Sequence, residues 1–432
     1  MLKVAVIGGG STYTPELING FIERQDEFPL DQLWLMDINN ERLDIVGRFA
    51  KRMARSKHAK FTIVLSNNQK EAIENASYVI TQLRVGQMEA RREDEYLGKR
   101  HGLIGQETTG VGGMAKALRT IPIILKVAND IEKYAPGALL VNFANPSGLV
   151  TEALFRYAPG VTSVGVCNSA LTTKMEMLEI INEQLGTNFS PSEAKIETLG
   201  LNHLTWYSGF EIEGQDYWPQ IMAELVKQMR YQEDPYFDPH TLENLQMLPN
   251  SYLRYYYYTS KMLKIQENWP PSRAEEVMEI ERDLLESYKD ETLAEPPENL
   301  MKRGGAYYST VAAQLLNAHY NDLDEVHIVN TRNYGAVPSW DKDWVLEMPC
   351  RINAKGVFPI PTSPLPLECE SLINTVKAYE ILTAQAAVEG DRDAAYKALL
   401  VHPLGPSADK ITTVLNDMLE TNRRYLPNFI KE

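Results

Sequence analysis

A turn of three glycines near the amino terminus is the first feature that could do chemistry. It lies at positions 8–10, after an apolar run at 2–7 and before Thr14 and Pro15, which suit the first turn of a helix. Glycine tolerates positive φ and lets an anion approach the backbone, and the free N–H groups of a helix start attract phosphate. A strand, a glycine turn and a helix in this order predict a site for the pyrophosphate of a dinucleotide.

An acidic residue after the next apolar run supports this interpretation. Asp37 follows the run at 32–36, where a carboxylate could accept the hydroxyl groups of an adenosine ribose. The glycine signature is incomplete, because Tyr13 stands where a third glycine is usual, and the spacing to Asp37 is a few residues long. A glycine turn in another kind of α/β protein therefore stays an alternative.

Polar side chains that could hydrogen-bond or bind a metal follow later apolar runs. Asn145 comes after the run at 138–143 and precedes a proline whose peptide bond can be cis, and Cys167 comes after the run at 161–166. His203 stands further on, in an apolar frame. A lone cysteine or histidine is most often a core residue, but these two could also be partners in one metal site.

Three further positions have both an ordinary and a functional interpretation. Arg91 starts a charged run that is typical of a solvated helix face, and Tyr252 starts a tyrosine-rich helix that is typical of core packing. Arg273 lies at a predicted helix start, where its guanidinium and free backbone N–H groups could hold an anion. A segment with four glycines at 105–113 precedes a predicted helix at 114–134 and favours a backbone packed closely on a ligand.

The elements that must position these residues divide the chain in two. Apolar strands are predicted at 2–7, 32–36, 61–65, 78–82, 138–143 and 161–166. They alternate with helices, which predicts a parallel sheet with its ligands at the carboxyl ends of the strands. Long helices, a hairpin near 206–213, a β-rich region at 326–361 and helices at 371–389 and 394–425 follow. The sequence predicts an α/β protein with an N-terminal Rossmann-like parallel sheet at 1–170 and a C-terminal α+β domain at 171–432.

Composition limits the partners. The 432 residues carry a net charge of -15, which disfavours nucleic acid and anionic membrane surfaces as partners. Three scattered cysteines indicate free thiols and not a disulfide framework. The first strand follows Met1 directly, and no apolar run reaches the length of a membrane span, so a cytoplasmic location is expected.

Seven motifs, in this order, closely resemble glycoside hydrolase family 4, the NAD-dependent and metal-dependent 6-phosphoglycosidases. They are VIGGGS at 6–11, IGQET at 104–108, NFANPSG at 142–148, CN at 167–168, LNH at 201–203, YLR at 252–254 and HPLGP at 402–406. The resemblance spans nearly the whole chain. It implies a lactate/malate dehydrogenase-like architecture and a homodimer or homotetramer.

The resemblance also implies roles for individual residues. Tyr252 resembles the catalytic base, and Glu107 matches a position that makes this tyrosine more basic. Cys167 and His203 resemble the ligands of a divalent metal, for which the family implies manganese, although the two ligand types alone would equally suit zinc or cobalt. The positions implied to bind substrate are Arg91, Asn145, Asn168 and Arg273, and Asn168 is also counted among the catalytic positions with Tyr252 and Glu107. Those implied to bind NAD are Ile7, Gly8, Gly9, Gly10, Ser11, Thr12, Asp37, Arg42 and Asn142.

The family chemistry explains this set of residues. NAD takes a hydride from C3 of the sugar, a base removes the C2 proton beside the resulting ketone, the C1 oxygen is eliminated, water adds, and the hydride returns. Members that act on α-glycosides have an aspartate after the cysteine as proton donor, and Asn168 cannot protonate a leaving group. The sequence is therefore similar to the members that hydrolyse 6-phospho-β-glucosides such as cellobiose 6-phosphate.

Other functions stay open at this point. One is a 6-phospho-α-glucosidase or α-galactosidase of the same family. A second is an NAD-dependent hydroxyacid dehydrogenase, which shares the fold and an Asn-Pro segment but needs no cysteine and histidine metal pair. A third is a non-catalytic NAD-binding protein, which would have no use for a tyrosine beside such a pair.

Overall fold

A computed structural model describes residues 1–303 and 308–429 of the chain. Within these ranges thirteen strands form one sheet. The strands are β1 Lys3–Ile7, β2 Gln32–Met36, β3 Thr62–Ser66, β4 Tyr78–Thr81, β5 Leu139–Asn142, β6 Ser163–Gly165, β7 Ala194–Leu201, β8 Leu204–Ile212, β9 Gln215–Asp216, β10 Leu248–Pro249, β11 Glu325–Arg332, β12 Val345–Asn353 and β13 Gly356–Pro359.

The first six strands are parallel and neighbour one another in the order β3-β2-β1-β4-β5-β6. This order reverses between β1 and β4, and ligands of such sheets bind at the reversal, outside the carboxyl ends of the strands. All five residues of β1 are buried, as a strand covered by helices on both faces requires. The predicted Rossmann-like sheet is confirmed, with strand bounds shifted by one or two residues.

The rest of the sheet is antiparallel. β11 continues it beside β6 and pairs with β12, and β7, β8 and β10 follow outward, while β13 pairs with β12 and β9 with β8. The turn between β7 and β8 consists of Asn202 and His203. This part agrees with the predicted β-rich region and places the hairpin around β8.

Sixteen α-helices lie within the described ranges and cover the sheet. They are α1 Thr14–Glu23, α2 Asn40–Ser56, α3 Gln69–Ile73, α4 Gln87–Arg100, α5 Gly110–Tyr134, α6 Ser147–Tyr157, α7 Ser169–Leu185, α8 Trp218–Tyr231, α9 Pro239–Leu245, α10 Arg254–Tyr257, α11 Thr259–Glu267, α12 Arg273–Lys289, α13 Tyr308–Tyr320, α14 Leu367–Glu389, α15 Arg392–Val401 and α16 Ile411–Thr421. Short 3₁₀ helices occupy Ser251–Leu253, Glu298–Arg303, Arg423–Tyr425 and Pro427–Phe429. None of the helices in the described ranges is long and apolar enough to cross a bilayer.

One local prediction is wrong. The helix expected across 394–425 is interrupted between α15 and α16, where Pro403 and Pro406 cannot donate the helical hydrogen bonds. The glycines at 105–113 pack closely on the chain itself, and the approach of this segment to a ligand stays a prediction. A Cβ added at Gly112 would lie 2.3 Å from the Gln106 carbonyl oxygen, and one added at Gly105 would lie 2.2 Å from the Glu95 carbonyl oxygen. These glycines therefore let α4, α5 and the loop between them approach closely.

Candidate active site

The glycine turn lies between the ends of β1, β2 and β4. Gly8 has φ +98°, and an added Cβ would lie 2.8 Å from the backbone nitrogen of Leu83. The N–H groups of Gly8 and Gly9 both donate to the Met36 carbonyl, at 2.9 and 2.8 Å. The positive φ and the crowded backbone explain why glycine is needed at position 8.

Asp37 and Arg42 hold the turn from the side of β2. Asp37 Oδ2 accepts the N–H of Gly10 at 2.9 Å, and Oδ1 accepts the N–H of Asn39 at the same distance. Arg42 Nε donates to the Gly10 carbonyl at 3.3 Å. Asp37 therefore lies at the carboxyl end of β2, where a ribose-binding carboxylate is expected.

Glu281 of α12 ties this turn to the second half of the chain. Its Oε2 accepts both terminal nitrogens of Arg42 at 3.1 Å, and its Oε1 accepts Arg303 Nη2 at 2.7 Å and the Thr12 hydroxyl at 3.4 Å. Burial alone would raise the pKa of Glu281, but Arg303 and Arg42 outweigh it and lower the pKa to about 2. Glu281 is therefore a permanent negative charge between two arginines.

A cavity of about 1220 Å³ opens from the glycine turn. It brings together most residues that the sequence singles out. Lining residues among these are Ile7, Gly8, Gly10, Ser11, Asp37, Arg42, Arg91, Glu107, Asn145, Cys167, Asn168, His203, Tyr252 and Arg273. Of the side chains in this wall, nine are arginine or lysine and five are aspartate or glutamate. The cavity is thus more cationic than the chain as a whole.

Three residues assigned to NAD binding do not line this cavity in the described part of the chain: Gly9, Thr12 and Asn142. Asn142 is fully buried at the end of β5, where Oδ1 accepts the Thr81 hydroxyl at 2.9 Å and the Ala144 N–H at 3.0 Å. Its side chain shapes the turn that leads to Asn145. Thr12 instead donates to Glu281, so both residues support the wall from outside the cavity.

Cys167 and His203 face each other across the cavity floor. Cys167 follows β6 and His203 lies in the turn between β7 and β8, with the left-handed φ of +66° that is uncommon for a residue with a side chain. Cys167 Sγ lies 3.5 Å from His203 Nε2 and 3.3 Å from the Ser169 hydroxyl. Burial lowers the pKa of His203 to about 4, so the ring is neutral at pH 7, as a metal ligand must be.

Tyr252 stacks on the His203 ring. The two ring centroids are 3.9 Å apart and the planes differ by 3°. The N–H of Tyr252 donates to Oδ1 of Asn250, which caps the 3₁₀ turn that carries the tyrosine. Burial first, and then the charges of Cys167, Tyr255 and Glu107, raise the pKa of the Tyr252 hydroxyl. The charge of Arg91 lowers this pKa only in part, so the tyrosine is a poor base unless a further cation lies beside it.

Glu107 is surrounded by cations. Its Oε2 contacts Arg84 and lies 2.5 Å from Lys116 Nζ, and its Oε1 lies 3.3 Å from Arg91 Nη1. Burial opposes ionisation, but these three cations hold the pKa of Glu107 well below its usual range. Burial and the Arg84 charge lower the pKa of Lys116 to about 7. Glu107 is therefore an ionised anchor for three cations.

The prediction that free backbone donors at the start of α12 hold an anion is wrong, because carboxylates of the chain occupy that helix start. The N–H of Ala274 donates to Glu95 Oε2 at 2.8 Å, and the N–H of Ser272 donates to Glu275 Oε2 at 2.7 Å. The Arg273 guanidinium remains in the cavity wall. It is nearly half exposed.

Glu95 links Arg91 to the start of α12, which carries Arg273. Arg91 Nε donates to Glu95 Oε1 at 3.0 Å, while the other carboxylate oxygen of Glu95 holds α12. Arg273 Nη2 donates to the Lys302 carbonyl at 2.9 Å and Nη1 to Glu276 at 2.9 Å. Arg91, whose side chain is 13% exposed, is therefore fixed by two carboxylates, whereas the more exposed Arg273 is held by surface contacts.

Asn145 and Asn168 border the same cavity from neighbouring strand ends. The peptide bond between Asn145 and Pro146 is cis, and Asn145 Oδ1 accepts the N–H of Ser147 at 3.3 Å. Asn168 is the residue before α7, directly after Cys167. Both are partly exposed to the cavity.

The structure adds residues that sequence reasoning missed. Glu347 on β12 is 2% exposed, its Oε2 accepts Asn202 Nδ2 at 2.7 Å, and its Oε1 has no hydrogen-bond partner among the described residues. Burial and the nearby Cys167 raise the pKa of Glu347 to about 7. Lys116 and Thr108, which contacts His203, are also new. The sequence did carry a signal for Glu347, because it is the single carboxylate in the otherwise apolar segment 345–350.

The residues present fit both a dinucleotide and a divalent metal ion. Two ligands at about 2.1 and 2.3 Å from one ion stand roughly 3.5 Å apart, which matches the distance between Cys167 Sγ and His203 Nε2. Within the described ranges no three cysteine, histidine or acidic side chains converge on one point, so Cys167 and His203 form a pair without a third such side chain there. A bound substrate could complete the coordination. The glycine turn with Asp37 fits a pyrophosphate and a ribose.

Fold and site together define an α/β protein of the dinucleotide-binding class with a cysteine–histidine pair and a tyrosine in the same cavity. Comparison with known proteins gives the family. Residues 3–183 match the model of the family 4 glycosyl hydrolases, and residues 198–405 match the model of the family 4 glycosyl hydrolase C-terminal domain. The chain belongs to glycosyl hydrolase family 4.

Two relatives and two solved structures sharpen the comparison. A probable 6-phospho-beta-glucosidase of Bacillus subtilis strain 168 is 39% identical, with 100% of this chain and 98% of the relative covered. A phospho-alpha-glucosidase, PagL, of Clostridium acetobutylicum is 28% identical, with 98% of each chain covered.

The 6-phospho-beta-glucosidase of Thermotoga maritima, solved with manganese, NAD+ and glucose-6-phosphate, has a TM-score of 0.92 at 36% identity, covering 98% of this chain and 99% of that one. Malate dehydrogenase of Plasmodium falciparum has a TM-score of 0.53 at 14% identity, covering 90% and 99%. The latter supports the fold alone and agrees with the predicted dehydrogenase-like architecture.

Proposed function

We propose that this protein hydrolyses 6-phospho-β-glucosides, with phosphorylated β-disaccharides such as cellobiose 6-phosphate as substrates. The observation that carries the proposal is one cavity holding the glycine turn, the Cys167–His203 pair and the Tyr252 ring stacked on His203. The greater similarity to a 6-phospho-beta-glucosidase than to a phospho-alpha-glucosidase supports the β anomer. So does Asn168, which cannot act as an acid where α-acting members have an aspartate.

NAD and manganese are the proposed cofactors. The glycine turn and Asp37 would hold NAD, with Arg42 fixing the turn, and Cys167 and His203 would hold the metal. When bound, NAD accepts and returns the C3 hydride and the divalent ion acts as a Lewis acid toward the sugar oxygens at C2 and C3. The relatives solved with these groups support the assignment.

Tyr252 is proposed to accept the C2 proton. Its hydroxyl needs a lower pKa than burial allows, and a divalent cation on the neighbouring Cys167 and His203 would supply the required positive charge. Within the described residues Glu107 makes ion pairs with Arg84, Arg91 and Lys116 and not a hydrogen bond with the tyrosine. We therefore assign Glu107 a role in fixing these cations beside the base.

The sugar phosphate is proposed to bind Arg91 and Arg273. The contacts of Arg91 with Glu95 and Glu107 use Nε and Nη1, and we assign Nη2 to the phosphate. Arg273 at the rim contributes a second guanidinium. Asn145 and Asn168 would hydrogen-bond sugar hydroxyl groups, since both are uncharged and carry a donor and an acceptor.

The test uses p-nitrophenyl α- and β-glucoside 6-phosphates with NAD and manganese. We expect release of p-nitrophenol from the β anomer only, no accumulation of absorbance at 340 nm, and no release from the unphosphorylated β-glucoside. In D2O the product should gain deuterium at C2, because the C2 proton is removed and replaced, whereas C2 keeps its hydrogen in a two-carboxylate glycosidase. Release from the α anomer, or NADH accumulation without release, would contradict the proposal.

Three further assignments accompany the proposed function. We propose an NAD-binding domain at 1–170 and an α+β domain at 171–432 that carries substrate, metal and oligomer contacts, supported by the change from parallel to antiparallel strands after β6. We also propose a cytoplasmic homodimer or homotetramer. Light scattering of the purified chain checks the subunit number.

A further inference from the structure

A chain of hydrogen bonds leads away from the metal-ligand histidine. Its members are His203, Thr108 and Gln106, of which His203 and Gln106 line the cavity. His203 Nδ1 lies 3.2 Å from the Thr108 hydroxyl, and that hydroxyl lies 2.7 Å from Gln106 Oε1. The N–H of Thr108 also donates to Gln106 Oε1. Sequence reasoning assigned no role to either Thr108 or Gln106.

The direction of each hydrogen bond follows from the one before it. A backbone N–H can only donate, so the Gln106 side-chain atom that receives the Thr108 N–H is the amide oxygen. An amide oxygen can only accept, so the Thr108 hydroxyl donates its proton to that oxygen. The hydroxyl then presents lone pairs to His203, and His203 Nδ1 must carry the proton. A metal ligand needs a bare Nε2 lone pair, and the tautomer with its proton on Nδ1 provides it.

We infer that Thr108, oriented by Gln106, holds His203 in the tautomer that directs the bare Nε2 lone pair at the metal position beside Cys167. The inference rests on the proposed function in that it takes His203 as a metal ligand. A hydrogen bond on the second ring nitrogen of a ligand histidine fixes its tautomer and orientation. Thr108 is thus a positioning residue, which acts through His203 and is not among the described residues that line the cavity.

The surroundings hold this chain in place. The turn between β7 and β8 fixes the backbone of His203, and the Tyr252 ring stacked at 3.9 Å holds the imidazole plane. Thr108 is held from behind by Gly113, where an added Cβ would lie 2.6 Å from the Thr108 carbonyl carbon. The glycines of the loop therefore let the Thr108 hydroxyl reach His203.

Thr109 offers a matched control. It is the same residue type in the same loop, but its hydroxyl contacts the Tyr256 hydroxyl at 2.5 Å and His402 Nε2 at 3.4 Å. A Thr109→Val variant removes an equal group without touching His203. Thr108→Ser keeps the hydroxyl, and Thr108→Val replaces it with a methyl group of similar size.

The first measurement is the ¹⁵N NMR spectrum of the metal-free full chain labelled with ¹⁵N-histidine, with His203 assigned by its loss in His203→Asn. We expect a protonated Nδ1 and an unprotonated Nε2 in the parent, in Thr108→Ser and in Thr109→Val, and a mixture of tautomers in Thr108→Val. A protonated Nε2 in the parent, or an unchanged spectrum in Thr108→Val, would overturn the inference.

The second measurement is the affinity for Mn²⁺, from the EPR signal of the free ion. We expect Thr108→Val to bind about 10- to 100-fold more weakly, and Thr108→Ser and Thr109→Val to bind like the parent. Equal affinity in parent and Thr108→Val would overturn the link to the metal. If His203→Asn itself binds Mn²⁺ as tightly as the parent does, the metal site of the proposed function is wrong. The ¹⁵N spectrum of His203 still decides whether Thr108 sets the tautomer.

Discussion

The two walls of the cavity are built in different ways. The nucleotide wall consists of the turn at 8–11 with Asp37 and Arg42, which are close in sequence and held by backbone hydrogen bonds. The reaction wall consists of Glu107, Cys167, His203 and Tyr252, each from a different segment of the chain. In the nucleotide wall the polar groups are already bound to one another, as Asp37 is to the Gly10 and Asn39 N–H groups.

The difference shows how binding and chemistry are separated. The nucleotide wall presents a fixed backbone, so its substitutions should change affinity for the dinucleotide. In the reaction wall a neutral histidine, a thiol and a tyrosine with a raised pKa lie in contact, so their properties depend on a cation that joins them. Substitutions there should change turnover and metal binding instead.

The largest expected effect lies in the reaction wall. Tyr252→Phe removes the proton acceptor and keeps the ring that stacks on His203, so we expect kcat to fall by about 10²- to 10⁴-fold while NAD and Mn²⁺ affinities stay unchanged. Initial rates with the phosphorylated β-glucoside measure kcat, and titrations measure both affinities. Tyr255→Phe, whose ring centroid lies 6.1 Å from that of Tyr252, is the control and should lose little activity. A kcat near the parent value in Tyr252→Phe would exclude this tyrosine as the base.

A smaller effect is expected where the two halves of the chain meet. Glu281→Gln leaves Arg42 and Arg303 without their shared carboxylate, which should lower the free energy of unfolding by roughly 1.5–3 kcal/mol at pH 7. Because the folded pKa of Glu281 is about 2 and the ordinary value is 4.5, its contribution is present above pH 4.5 and is lost as the pH falls toward 2.

Urea denaturation of parent and Glu281→Gln between pH 7 and pH 3 tests this expectation. The difference in unfolding free energy should shrink below pH 4.5. Glu279→Gln, on the same helix and paired with the exposed Arg282, is the control and should cost less than about 1 kcal/mol at any pH. A difference for Glu281→Gln that does not depend on pH would show that its charge is not what stabilises the fold.

The smallest effect is expected in the nucleotide wall. A Cβ at Gly10 would lie 2.9 Å from Asp37 Oδ2, so Gly10→Ala should displace the carboxylate that we propose binds the ribose. If this steric conflict costs about 1–3 kcal/mol of binding free energy, NAD affinity should fall roughly 5- to 150-fold. Fluorescence titration with NAD measures this change. The Mn²⁺ affinity of the same variant serves as the control, and a parallel loss of both would mean that the two walls are not independent.

The nucleotide wall could be predicted from the sequence because its signals are local. A buried strand, a glycine turn and an acidic residue after the next strand all lie within the first two βα units, and the structure confirms the parallel sheet predicted for this half. The start of α12 was also open to prediction. Ser272 and Glu275 have the spacing of a capping box, which shows that the chain itself occupies that helix start.

The reaction wall could be identified only through the family resemblance. His203 and Thr108 are 95 positions apart, and Asn202 and Glu347 are 145 apart, so no periodicity in the sequence relates them. The direction of a hydroxyl proton or the charge of a buried carboxylate depends on such distant contacts. Glycines at 105–113 show the same limit, because close packing on a ligand and close packing on another helix require the same residue.

The cationic lining of the cavity has a kinetic consequence. A chain with a net charge of -15 repels an approaching dinucleotide or sugar phosphate at long range, whereas the cavity wall, with nine basic against five acidic side chains, attracts it at short range. Salt weakens both fields over a screening length of about 8 Å at physiological ionic strength. Added salt should therefore speed the approach of the ligand, by weakening the long-range repulsion, and weaken its attraction into the cavity. Because the cationic groups lie inside a low-dielectric cleft, their attraction is the less screened of the two, and ligand capture should tolerate salt better than an open basic surface would.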